Sequence, residues 1–245
     1  MSVRTIQIAV FLALAGAIGV QSEDLEAIIQ GSYLVARSPQ ATVRFRMTIH
    51  DGQGDKTREV IVFLTNAAKG GNLLAKVVSP ASLSAMKYLR IGPEKGALQQ
   101  WLATSRGVRR LGEGGGDERL FGSDFAIGDF SPYDAVSYRI ARDPDRETAA
   151  SWALSLEPRS GVQQRKIVQV DRSTSLIMAV DTLDQAGKIE RSYRVEAIAG
   201  PAAAPYPRLA RMSDPSRGSW TLMEVLSIDL TTPIADRVFN PAALE

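Results

Sequence analysis

Three glycines, Gly114, Gly115 and Gly116, precede Asp117-Glu118, and two Asp-Phe pairs follow at 124–125 and 129–130. Such a glycine cluster can cradle a phosphate where it joins a strand to a helix, because the first helical amides and the helix dipole then face the anion. Here two carboxylates come next and no Lys-Ser/Thr pair follows, so the pattern argues against a phosphate loop. Asp124 and Asp129 also lack the alternating oxygen spacing and terminal glutamate of a calcium loop. The structural alternative makes Gly112–Gly116 a mobile surface loop. Gly122-Ser123-Asp124 is then a tight turn in which Asp124 accepts backbone N–H bonds, with Phe125 and Phe130 buried.

Other chemistry is hard to assemble. The chain has one histidine, His50, on the polar side of a strand-like segment, and no cysteine for a thiol nucleophile. Many carboxylates are present, but nothing singles out a pair for glycosidic work. Arg106, Arg109 and Arg110 read as a wet strand edge, or in a functional version as a docking patch for an anionic partner. No catalytic residue, cofactor or metal is expected. The 29 basic residues against 27 acidic ones, in a chain of 245, lack the excess that holds a nucleic-acid backbone.

The N-terminus carries one charge, Arg4, then an uncharged run from Ile8 to Val20, then small residues before Gln21-Ser22-Glu23. That pattern predicts a secretory signal peptide over residues 1–19, cleaved after Ala17 or Gly19; the run is short for a bilayer span. Without cysteine there is neither a disulfide nor an attachment point for a lipid anchor. The expectation is a soluble, unlipidated periplasmic protein, with residues 20–245 forming a single domain.

The elements that must position any site are mostly strands. "SEDLEAIIQGSYLVAR" (22–37) has the stripe Leu25, Ile28, Ile29, Tyr33 of an amphipathic helix. Thereafter the period is two. Val43, Phe45, Met47 and Ile49 alternate with Arg44, Arg46, Thr48 and His50, and strand-like segments recur to residue 229 between Gly, Pro, Asp and Ser clusters. Many short strands without a long helical interruption predict an antiparallel all-β sheet, curved into a large sheet or barrel.

The segment "LQQWLATSRGVRRL…FGSDFAIGDF" resembles the outer-membrane lipoprotein-sorting protein family, relatives of the carriers LolA and LolB. Trp101, Arg109, Arg110, Gly122, Ser123, Asp124 and Phe125 match its motif, and Asp129-Phe130 corresponds to the closing Asp-Leu. "SPASLSAMKYL" keeps Pro80, Leu83, Tyr88 and Leu89 of an upstream segment, with Ser84-Ala85 where Lys-Gly is usual. Ile127-Gly128 replaces a more typical Tyr-Glu. "RVFNPAALE" is similar to the closing Phe-x-x-x-x-Leu.

The resemblance implies a mainly β fold: an incompletely closed antiparallel β-barrel, a half-barrel of about 11–12 strands, with a small helical lid. Its concave side would hold the acyl chains of a lipoprotein or lipid. The cavity-lining residues expected from the apolar stripes are Val43, Phe45, Met47, Ile49, Leu89, Ile91, Leu98, Leu102, Leu154 and Leu156. Partners would be an inner-membrane lipid or lipoprotein exporter and an outer-membrane acceptor. Burying methylenes at about 0.8 kcal/mol each gives a sixteen-carbon chain on the order of 10 kcal/mol, so carriage requires no catalysis. Two alternatives are an envelope sensor or scaffold that binds a membrane protein with the same half-barrel, and a secreted hydrolase.

Overall fold

A computed structural model describes residues 22–31, 39–65, 71–92, 98–130, 133, 137–159, 164–202 and 204–244. The expected signal peptide, Tyr33 and the end of the expected first helix lie outside the described residues. Among the described residues one α-helix, α1 (Ser22–Gly31), precedes thirteen strands: β1 (Gln40–His50), β2 (Asp55–Thr65), β3 (Asn72–Ser79), β4 (Lys87–Ile91), β5 (Gln99–Thr104), β6 (Gly107–Arg110), β7 (Tyr138–Arg142), β8 (Ser151–Pro158), β9 (Arg165–Asp171), β10 (Ile177–Leu183), β11 (Ile189–Ala199), β12 (Tyr206–Asp214) and β13 (Ser219–Asp229).

All thirteen belong to one antiparallel sheet, one or two more strands than the motif resemblance implies. Its order is β6-β5-β4-β3-β2-β1-β13-β12-β11-β10-β9-β8-β7. Almost every neighbour is also a neighbour in sequence, so short turns suffice; the exception is β1 against β13 at the centre. Among the described residues the two end strands, β6 and β7, do not pair with each other, which leaves the barrel open. β6 protects its edge by being short and carrying Arg109 and Arg110.

Alternation sets the faces. In β1, Val43, Phe45, Met47 and Ile49 are buried, whereas Arg44 and Arg46 reach Glu59 and Glu224 on the opposite face. These rim pairs are solvated and contribute little individually. The inner face carries two apolar clusters. Leu25 and Ile29, four residues apart on one side of α1, pack with Leu154, Leu156, Val168 and Val170. At the other half, Leu111, Leu120, Phe121, Phe125 and Ile127 pack onto β1–β4.

A third cluster lies on the outer face. Leu74, Leu89 and Ala103 are covered by Phe239 and Leu244 of the C-terminal segment, and Lys87 Nζ donates to the carbonyls of Ala243 and Leu244 at 3.0 and 3.1 Å. The closing Phe-x-x-x-x-Leu pattern thus seals the back of β3–β5.

Candidate functional site

Side chains from β1–β4 and from β10–β13 face a common cavity of about 280 Å³, which is possible only because the sheet curls. Val43, Phe45, Val62, Leu73, Met212, Met223 and Val225 supply much of its apolar wall. Val225 and Ile228 both reach it despite their odd spacing, because a bulge opposite Arg44/Phe45 resets the alternation of β13. The cavity occupies the end of the trough where β1 begins and β2 ends. Toward the other end Met47, Ile49, Val60 and Val77 share a packed cluster with Leu120, Phe121 and Ile127, and none of them lines the cavity.

The ten residues expected to line it therefore separate. Val43 and Phe45 are on its wall. Met47, Ile49 and Leu102 are in the neighbouring packed cluster, under Leu111–Ile127. Leu154 and Leu156 are fully buried in the cluster that includes α1. Leu89 and Ile91 point to the back, against the C-terminal segment, and Leu98 is 45% exposed just before β5. The correction for β4 has a simple cause: both its faces are covered, so apolarity did not mark the inner one. Tyr88 and Arg90 are the inward pair.

The motif residues hold the segment that fills the trough. Gly116 and Gly128 pack backbone to backbone: a Cβ on Gly128 would lie 3.1 Å from the Gly116 carbonyl oxygen. Gly115, buried, and Gly116 accordingly belong to a 3-10 turn, Glu113–Asp117, that packs against the trough segment, whereas Gly112 just before it is exposed, so only the start of the expected surface loop is open. Gly122 has φ +72°, and a Cβ there would come 3.2 Å from Arg58 Nη1, an atom buried with no hydrogen-bond partner among the described residues.

Ser123 Oγ donates to the Leu120 carbonyl at 2.7 Å and accepts from the Phe125 amide at 3.2 Å. Asp124, 2% exposed, accepts the hydroxyls of Ser219 (2.5 Å) and Thr221 (2.8 Å), and its own amide donates to Thr221 Oγ1 at 2.9 Å. The turn was expected to satisfy Asp124 with backbone amides; the sheet satisfies it with side-chain hydroxyls instead. Phe125 packs against Phe130 and Tyr193 with ring centroids 5.8 and 6.3 Å apart. Phe130 lies on the cavity wall.

Asp129 ends the segment in a buried ion cluster. Its carboxylate is 2.5 Å from Arg191 Nη1 and 3.6 Å from Lys166 Nζ, and accepts the Ala126 amide at 2.8 Å. Burial pulls the Lys166 ammonium below the usual lysine range despite Asp129. Burial also works against the Arg191 charge, but Asp129 outweighs it and holds the guanidinium above its ordinary value. Nearby, Arg119 binds Asp214 and the Asp124 carbonyl, both at 2.5 Å.

Trp101 and the basic pair serve the edge. Arg110 stacks over Trp101 at 5.9 Å and Arg109 pairs with Glu118. His50 stacks on Trp220 at 5.2 Å and meets Asp55 at 2.9 Å at an exposed position.

Tyr88 supplies a pH-dependent prediction. Its hydroxyl donates to Gln100 Oε1 at 2.8 Å, and burial pushes its pKa up to about 12 from 10. The unfolded chain then loses this proton first. Stability should be intact below pH 10 and fall above it, by roughly 2–3 kcal/mol at pH 12 from this group alone. Urea titrations at stepwise alkaline pH check it: Tyr88→Phe should flatten the slope, leaving the part due to Tyr193, which burial also raises.

Solved structures share this architecture. An outer membrane lipoprotein-sorting protein domain from Vibrio parahaemolyticus matches with TM-score 0.78 and 18% identity, over 91% of this chain and 99% of that one. A DUF1329 family protein from Desulfovibrio piger matches with TM-score 0.76 and 18% identity over the same shares. A LolA superfamily protein from Nitrosomonas europaea gives 0.70 and 14%, over 92% and 100%. The chain is thus a LolA-like half-barrel in fold, like the outer membrane lipoprotein-sorting domains.

Residues 70–245 match a family model described as "Uncharacterized protein", and the chain belongs to that family. No curated protein matches the sequence. Among the described residues no helix is long and apolar enough to cross a membrane.

Proposed function

We propose that the protein is a non-catalytic periplasmic carrier that takes up acyl chains of a lipid or lipoprotein in its trough and delivers them toward the outer membrane. The observation that carries this reading is the mainly apolar cavity of about 280 Å³ between the two halves of an unclosed sheet. It is just below the roughly 300–1,000 Å³ typical of ligand sites, enough for part of one chain. More room requires Leu111–Phe130 or α1 to move, and these two elements are the cover the carrier needs. Removal of residues 1–19 on export, loading by an inner-membrane exporter and unloading to an outer-membrane acceptor belong to the same proposal.

The fold relatives support it, since one is described as a lipoprotein-sorting domain and another as a LolA superfamily protein. Acyl species that co-purify in native mass spectrometry are the expected result. An empty protein that instead captures an envelope complex would favour the scaffold reading.

A cavity-filling variant makes the test specific. Val43→Trp projects an indole from the wall into the open space, so the fold should survive while acyl-chain affinity falls at least about tenfold, the equivalent of about two excluded methylenes. Binding of a fluorescent fatty acyl probe, read beside a urea melt, checks both halves of the expectation. Unchanged binding would place the chain elsewhere.

A further inference from the structure

We infer that the cavity recognises the link between tail and head: the Tyr193 hydroxyl donates a hydrogen bond to the ester carbonyl of a bound acyl chain. This rests on the reading of the trough as an acyl-chain site and narrows its ligand class. Tyr193 is on the inner face of β11, directly between Val180 and Met212 of the neighbouring strands, and all three line the cavity. Phe125 meets its ring edge-on at 6.3 Å, and the residue packs against both inner apolar clusters. The ring is therefore held from several sides.

Its hydroxyl is not used by the fold: among the described residues nothing bonds to it. The side-chain polar atoms sealed off without a partner are, among those residues, guanidinium nitrogens of Arg58 and Arg172. The Tyr193 oxygen is thus unpartnered yet unsealed, and for an inner-face wall residue the space it meets is the cavity. Other polar groups on the wall are engaged. Arg90 donates to the carbonyls of Gly71 and Phe130, Asp129 is bound by Arg191 and Lys166, and Thr182 accepts from Lys166. Tyr133 packs edge-on against Tyr138 and faces the Lys166 ammonium, and Tyr206 stands at the rim, as the first residue of β12.

A buried phenol ordinarily finds a partner, so one left open in a greasy wall favours a ligand that brings an acceptor. Burial raises the Tyr193 pKa above the ordinary tyrosine value, which keeps the group a neutral donor. One neutral donor does not offset the desolvation of a carboxylate, but it suits a carbonyl. An ester brings acceptors only, whereas an amide would bury an N–H as well. With the carbonyl at Tyr193, the hydrocarbon lies along Val43, Phe45, Val62 and Met223.

The test titrates the full chain calorimetrically with dodecanoyl lysophosphocholine and with its dodecyl ether analogue, each below its micelle concentration. The two probes share tail and head and differ in the carbonyl. The ester should bind roughly threefold to tenfold more tightly, the size of one buried hydrogen bond. Tyr193→Phe should erase that difference by weakening the ester and leaving the ether unchanged. Because the hydroxyl has no partner to lose, the urea midpoint of the variant should hold or rise. A lowered midpoint or a failure to fold would mean that the fold uses the hydroxyl, and overturns the inference. Equal affinity for the two probes, or an ester preference that survives Tyr193→Phe, also overturns it and leaves the acyl-chain reading standing. Binding of neither probe overturns both.

Discussion

Asp124→Ala is expected to lower the unfolding free energy by about 3 kcal/mol. The carboxylate is buried and accepts two hydroxyls, from Ser219 and Thr221, while its amide is bonded back to Thr221. Alanine removes both charge-assisted bonds and strands two donors that are themselves buried, Ser219 and Thr221. Either loss alone is worth about 1–3 kcal/mol, and hydroxyl rotation recovers part of the sum. Asp124→Asn should cost less, because the amide oxygen still accepts one hydroxyl. Urea unfolding of the two variants gives the order directly. The prediction also separates a structural role from a binding role: a variant that keeps full stability but loses acyl binding would make Asp124 a ligand residue.

How much of this was legible in the sequence depends on the distance over which each feature is decided. The alternation of Val43, Phe45, Met47 and Ile49 is local, and it specified both the strand and its inner face. Val43 and Phe45 reach the cavity by that rule alone, whereas Met47 and Ile49 obey it and are nevertheless covered. What covers them, Leu120 to Ile127, arrives from a segment whose glycines look like a loose connection and are in fact required for backbone contact between Gly116 and Gly128. The Gly-Ser-Asp-Phe turn was recognisable from its residue types. Its purpose was not, because the partners of Asp124 lie 95 and 97 positions away on β13.

β4 shows the same limit in another form. Leu89 and Ile91 are as apolar as any lining residue, but a tail more than a hundred positions later buries them from behind. Arg90, between them, breaks the apolar pattern and is the residue that reaches the cavity. With a charged residue on each face, Lys87 beside Leu89 and Ile91 and Arg90 beside Tyr88, the alternation of β4 does not mark which face is inner.

Asp129→Ala should be the most damaging single change, at about 3–5 kcal/mol. The wild-type carboxylate lies between Arg191 and Lys166, whose side chains are 5% and 7% exposed. Without it, two cations face each other in a space with little water, and the like-charge term adds to the desolvation each already carries. The Ala126 amide loses its acceptor as well. Because Asp129 fastens the end of the segment that fills the trough, part of the loss should be local: amides of residues 118–130 should exchange faster than those of β8 and β9.

A double-mutant cycle distinguishes this from simple loss of packing. Combining Asp129→Ala with Arg191→Met removes the stranded guanidinium, and the pair should be more stable than Asp129→Ala alone. Strict additivity of the two costs would mean that the ion pair is not what fastens the segment.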